Sequence, residues 1–168
     1  IKLNPDSYIT EIAEKRNELL TSDKEITPDP KKYADAIDYL ISEIKNRRFK
    51  GLSKLTEIIR VEYYKLVKKI ITENKEIIPC YAGITTAQIS PDGDIWFCCI
   101  KADPVGNLRN MGYNFWKIWN SENAKVMRKE IKSARCFCPM ANMSYTNMLM
   151  NLRNLLRIGF KYLLEKFK

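Results

Sequence analysis

Five cysteines carry whatever special chemistry this chain can perform: Cys80, Cys98, Cys99, Cys136 and Cys138. No histidine stands anywhere in the 168 residues. That removes Ser-His-Asp triads, Cys-His dyads and imidazole metal sites together. An odd cysteine count with no signal segment argues against a disulfide framework and for a reducing compartment, so a cytoplasmic setting is expected. Inert buried thiols are the plain alternative, but those would be scattered. These sit at expected turns and strand ends, and two pairs are nearly adjacent.

Successive side chains of a strand face opposite sides, so only one of Cys98 and Cys99 shares a site with Cys80, which enters the same hairpin from its other arm. Four thiolates can then converge: Cys80, one of Cys98 and Cys99, Cys136 and Cys138. Sulfur ligands without histidine suit zinc or an iron–sulfur cluster. Structural zinc usually sits between two tight cysteine knuckles, whereas here Cys80 stands alone and Cys136-x-Cys138 is the one tight pair. The spread corners of a cubane accept dispersed ligands more easily, so the spacing favours the cluster. Trp96, Phe97 and Phe137 flank these positions, either to keep water off a cluster or as ordinary packing.

Three stretches must position the thiols. Residues 1–76 read as helical. Asp29 is a candidate cap before Pro30, with Ile37, Leu40, Ile41 and Ile44 on one face. Gly51 interrupts, and Leu55, Ile58, Ile59, Leu66, Ile70 and Ile71 mark a second helix. Residues 77–141 change character. Ile84 to Ser90 and Asp94 to Ile100 read as strands around a Pro91-Asp92-Gly93 turn. A second turn begins at Gly106, and two short helices follow, Phe115 to Trp119 and Glu122 to Lys132, the latter capped by Ser121. Residues 142–168 read as an amphipathic tail helix with Leu152, Leu155, Leu156, Gly159, Phe160, Leu163 and Phe167 on one face.

With 45% hydrophobic and 29% charged residues the composition is that of an ordinary globular protein. The net charge of +9 raises nucleic acid or an anionic membrane as partners. Ten Lys/Arg face four acids between Glu43 and Lys75, and five face one between Asn142 and Lys168. No RNA- or DNA-binding signature accompanies the charge, so solvated helix faces are the preferred account and nucleic acid is not expected.

Taken in order, Cys80-Tyr81-Ala82-Gly83, Ile89-Ser90-Pro91-Asp92-Gly93-Asp94-Ile95 with Cys98, Gly106-Asn107-Leu108, Ile118-Trp119-Asn120-Ser121 and the closing cysteine pair resemble the C-terminal auxiliary-cluster domain of radical SAM enzymes. These are the SPASM domain and its shortened form, the twitch domain. The family pattern places a cysteine, a glycine and a cysteine as Cys80, Gly93 and Cys98 stand here, over a resemblance spanning roughly residues 77–145. It implies that Cys80, Cys98, Cys136 and Cys138 hold one auxiliary [4Fe-4S] cluster, with Cys99 as a substitute ligand. A full SPASM domain has more cysteines and two clusters, so this chain is closer to twitch. The closing pair is Cys-x-Cys where Cys-x2-Cys is commoner.

Radical SAM enzymes cleave S-adenosylmethionine at another [4Fe-4S] cluster on a Cys-x3-Cys-x2-Cys loop, and that motif does not occur here. The opening Ile1-Lys2-Leu3-Asn4-Pro5 likewise reads as the interior of a longer chain. The resemblance therefore implies an α+β fold forming the C-terminal section of a larger oxidoreductase, inactive by itself. Residues 1–76 would close a partial barrel and its linker. Its partners would be the rest of the radical SAM core and a substrate of peptide, carbohydrate or small-molecule class. The competing reading is a zinc-stabilised basic module that docks RNA or a protein. For the tail, packing of the apolar stripe within the molecule or on a partner is preferred to peripheral membrane contact through 152–168, because the helix has no tryptophan and Gly159 lies on its apolar face.

Overall fold

Asp29 caps the first helix as its position before Pro30 predicts. Its Oδ1 accepts from the Lys32 N–H at 2.9 Å, and Pro30 opens α1 (Pro30–Lys45). The molecule is seen in a computed structural model that describes residues 11–12, 28–98, 100, 102–133 and 138–166. After a break at Lys50 the chain enters α2 (Gly51–Glu73). A small antiparallel sheet follows, of β1 (Gln88–Ile89), β2 (Asp94–Trp96) and β3 (Gly106–Asn107) in that spatial order. A 3-10 turn at Arg109–Met111 leads to α3 (Phe115–Trp119) and α4 (Glu122–Ser133). Two helices close the chain, α5 (Ala141–Met150) and α6 (Leu152–Lys166). The fold is α+β.

The expected strands are shorter than the β-branched runs. Residues 82–86 form a tight turn, in which Gly83 N donates to Thr86 O at 2.9 Å and Ile84 N to Tyr81 O at 3.1 Å. Backbone groups satisfied locally are no longer free for a ladder. The pairing that remains sets Ile89 opposite Ile95 and Gln88 opposite Trp96. Residues Gly106–Asn107, expected as a turn, form the third strand, with Asp94 opposite Asn107. Strand β2 ends at Trp96, because Phe97 is drawn into the core at 1 % exposure and the chain folds back through an Ala102 N to Cys98 O bond of 2.8 Å.

Helix α2 is the axis of the helical half. The sequence marks one stripe, yet Val61, Tyr63, Tyr64 and Val67 are buried as well. The reason is that α1, α5 and α6 all pack on it. One core joins Ile37, Ile41 and Ile44 of α1, Ile58 to Ile70 of α2, Met148 of α5 and Ile158 of α6. A second core gathers Ala82, Ile95, Phe97, Val105, Ile118, Ala124, Ile131 and Met143. Through Met143 and Met148, α5 belongs to both.

The tail is two helices rather than one. Asn151 breaks it, its side-chain oxygen accepting from the Asn154 N–H at 3.2 Å as a cap for α6. Of the expected packing of the apolar stripe, the part within this chain is corrected: α6 turns Asn154 and Ile158 inward, and Leu152, Leu155, Leu156, Phe160 and Leu163 face solvent, where only a partner could cover them. Phe167 of the same stripe lies outside the described residues. A buried acid drives this choice. Glu62 of α2 meets Arg157 Nε at 3.0 Å, Lys161 Nζ at 2.5 Å and Lys65 Nζ at 3.0 Å. Turning α6 over would take Arg157 and Lys161 from that carboxylate and leave it Lys65 alone; breaking up a buried ion cluster costs about 3–5 kcal/mol, comparable to what one or two leucines gain by burial.

Burial alone pushes the Glu62 carboxyl up, but hydrogen bonds from Lys161 and Lys65 outweigh it and hold the group below its ordinary value of 4.5. A carboxyl whose pKa is lower in the folded chain contributes stability above its unfolded pKa and loses it as pH falls toward the folded value. The unfolding temperature is therefore expected to drop as pH is taken below about 4.5, and Glu62→Gln to remove that part of the dependence. Circular dichroism melts of both proteins across the acid range check this; parallel curves would contradict it.

Candidate metal centre

The first candidate thiol stands just beyond α2, where Ile77 and Ile78 anchor the chain on the helical core. Cys80 itself packs against the second core, and the Tyr81–Thr86 turn follows at once. Gly83 makes the turn possible. It has φ +74, and a Cβ there would stand 2.4 Å from Cδ2 of the buried Phe97 ring. The Arg128 guanidinium lies 5.0 Å from the Phe97 centroid and 4.6 Å from that of Trp119. Its Nε donates to Gly83 O at 2.5 Å and its Nη2 to Trp119 O at 2.7 Å. Arg128 thus ties the Cys80 turn to α3 and α4.

Helix α5 holds the turn from behind. The Tyr81 N–H donates to Asn147 Oδ1 at 2.8 Å, and Thr86 Oγ1 donates to Met143 Sδ at 3.2 Å. The Asn147 amide also donates to the Cys80 thiol, as does the Ala82 N–H. One turn back along α5, Ser144 Oγ donates to Cys138 O at 2.9 Å. Tyr63 of α2 donates through its hydroxyl to Pro139 O at 3.2 Å. Cys80, Cys138, Ser144 and Asn147 line one small cavity together with Ile70, Glu76, Ile77 and Ile78.

Of the sequence-predicted ligands, Cys80, Cys98 and Cys138 are described, each half-buried and in no disulfide. Cys80 shares the cavity with Cys138 and feels the charge of Cys98. Cys136 and Cys99 lie outside the described residues, as does Phe137. Because β2 ends before Cys98, strand alternation has no strand on which to separate Cys98 from Cys99. Of the flanking aromatics, Phe97 packs beneath the Cys80 turn, and the half-buried Trp96 donates its Nε1–H to Gln88 Oε1 at 3.2 Å.

Burial pushes the Cys80 thiol up, and Cys98 and Glu76 add to the rise against the two hydrogen bonds that favour the thiolate. Both neighbouring groups named here raise it further, and a bound metal cation would favour the thiolate. The donor set also fits a sulfur-ligated cluster, with half-buried thiols, three isoleucines in the cavity wall and N–H donors to sulfur, although the Glu76 carboxylate shares that wall. Among the described residues no three Cys, Asp or Glu side chains converge as a single-ion site requires.

Comparison with known proteins bears on the same stretch. Residues 80–139 match the family model of SPASM, described as an iron-sulfur cluster-binding domain. The match opens on Cys80 and takes in Cys98, Cys136 and Cys138. It is the domain that the motifs resemble, and it implies iron–sulfur binding. No curated protein and no solved structure matches the chain.

Sequence reasoning does not reach Asn147, Ser144, Tyr63 or Arg128. For Asn147 and Ser144 a weak signal exists: they are spaced i, i+3 among the methionines of α5, polar positions on a face that is otherwise apolar. Nothing local marks Tyr63 or Arg128, whose partners are 76 and 45 residues away.

Proposed function

We propose that this chain is the auxiliary-cluster section of a radical SAM enzyme, with Cys80, Cys98, Cys136 and Cys138 as ligands of one [4Fe-4S] cluster. The observation that supports it most is the meeting of the Cys80 turn and the Cys138 segment on one face of α5, inside the stretch that matches the SPASM model. When bound, such a cluster supplies one-electron transfer to or from substrate, or an iron that helps to bind it.

The chain's own residues supply the rest. Asn147 orients the Cys80 turn by accepting from Tyr81 N and donating to the thiol. Ser144 and Tyr63 fix the carbonyls of Cys138 and Pro139. Ile70, Ile77 and Ile78 keep water from the cavity side. S-adenosylmethionine and its own cluster belong to the remainder of the radical SAM core, which this chain would adjoin in the reducing cytoplasm. The substrate class is peptide, carbohydrate or small molecule. Among the described residues no helix is long and apolar enough to cross a membrane.

Anaerobically purified protein tests the proposal. It is expected to be brown and to carry about four irons with matching sulfide. Colourless protein with about one zinc per chain would sink it in favour of a zinc module. Within the same experiment, Cys99→Ala is expected to keep its iron. Were Cys99→Ala to bleach the protein while Cys98→Ala did not, the two neighbours would have to exchange roles.

A further inference from the structure

Helix α6 is mounted with its polar side inward. Arg157 and Lys161 are spent on Glu62, Asn154 and Ile158 are buried, and Glu165 pairs with Lys54. What remains outside is an apolar ridge of Leu152, Leu155, Leu156, Phe160, Leu163 and Leu164, each between 45% and 69% exposed. Over a span of about 18 Å these positions take up about half of the helix circumference at 3.6 residues per turn, with the exposed Arg153 among them. Contiguous exposed apolar surface on this scale marks a binding face.

Charge around the ridge indicates what covers it. The loop between α1 and α2 carries Arg47, Arg48 and Lys50, and it lines one open cavity with Tyr162 and Glu165 of α6. Arg48, Lys50 and Arg153 are exposed. Beside them Leu52, at the first turn of α2, is 80% exposed. A second copy of this chain would bring like charges together, on a molecule whose net charge is +9. An anionic surface gains from each of them.

We propose that the α6 ridge and the basic α1–α2 loop together form a docking surface for an anionic lipid bilayer. The helix lies in the plane of the interface, its leucines and Phe160 in the boundary between headgroups and acyl chains, with Arg48, Lys50 and Arg153 on the headgroup phosphates. This would hold the cluster domain beside the membrane.

Flotation of the full 168-residue chain with vesicles tests it. Binding is expected to vesicles of phosphatidylglycerol and phosphatidylcholine in equal parts, and to fall at least tenfold on pure phosphatidylcholine or at high salt. Leu156→Glu with Leu163→Glu, both at exposed positions, should abolish binding while leaving the circular dichroism melt unchanged. Arg48→Glu with Lys50→Glu should weaken it at least tenfold and spare the ridge, which keeps the test decisive if the first pair misfolds. Absence of flotation, or flotation indifferent to both pairs, overturns the proposal. So does a concentration-dependent dimer that Leu156→Glu dissociates in a chain that does not float, since a second copy would then own the ridge.

Discussion

Cys80→Ala is expected to purify anaerobically with almost no iron, against about four irons in the parent chain. The expectation rests on where Cys80 stands. Its turn is held by Asn147, Met143 and Arg128, so no other thiol can slide into its place without breaking those contacts. A lost thiolate in a four-sulfur site leaves one iron open to water and to oxidation. Asn147→Ala makes the informative contrast, since it removes a donor to sulfur without removing a ligand. It should load iron, yet show a more negative reduction potential, because a hydrogen bond to sulfur stabilises the reduced, more negative cluster. Iron analysis and anaerobic potentiometry read the two effects separately. Full iron loading in Cys80→Ala would remove it from the ligand set.

Gly83→Ala carries the second large effect. A Cβ at that position meets Phe97 Cδ2 at 2.4 Å and Cγ at 2.8 Å, and Phe97 is 1% exposed and has nowhere to retreat. To this clash is added the positive φ of +74, which an L side chain tolerates poorly. Overpacking costs about 1–3 kcal/mol and the backbone strain about 1–2 kcal/mol, so the variant should lose roughly 2–5 kcal/mol. The loss concentrates where the cluster domain is assembled, because moving Phe97 also unseats Arg128 and, with it, the hydrogen bond to Gly83 O. Gly112→Ala separates the two terms: φ is +58 there, but nothing stands within 4 Å of the added carbon. It should cost about 1 kcal/mol, from strain alone. Urea denaturation of the three proteins measures the series. Equal losses at Gly83 and Gly112 would mean that Phe97 yields freely.

Legibility in the sequence follows the range of the interaction. The start of α1 is written in three nearby residues, Asp29, Pro30 and Lys32, since a cap acts within one turn. Helix α4 and its Ser121 cap, whose Oγ accepts from Ala124 N at 3.2 Å, are readable for the same reason. The hairpin turn is readable from Pro91-Asp92-Gly93, where Gly93 N donates to Ser90 O at 3.0 Å. Strand extent is not readable, because β-branched residues at 84–86 suit a pleated surface but the turn at Gly83 has already used their backbone groups. The break at Asn151 is local in mechanism, yet it competes with an unbroken apolar pattern, and the pattern hides it.

The cysteine types limit the site to sulfur-ligated zinc or an iron–sulfur cluster, and their spacing favours the cluster, because ligand softness, the lack of histidine and the spacing all belong to the sequence itself. The residues that hold those cysteines in place were decided only by the tertiary structure. Asn147 is 66 residues from the Tyr81 N–H it accepts, and a hydrogen bond across that separation leaves no periodicity to find. The orientation of α6 is the plainest case. Its sequence defines an apolar and a polar face and cannot say which one turns inward, since both faces are fixed only relative to the helix's own axis. Glu62, 99 residues from Lys161, favours the observed choice by holding Arg157 and Lys161 against α2, and the leucines go to the outside.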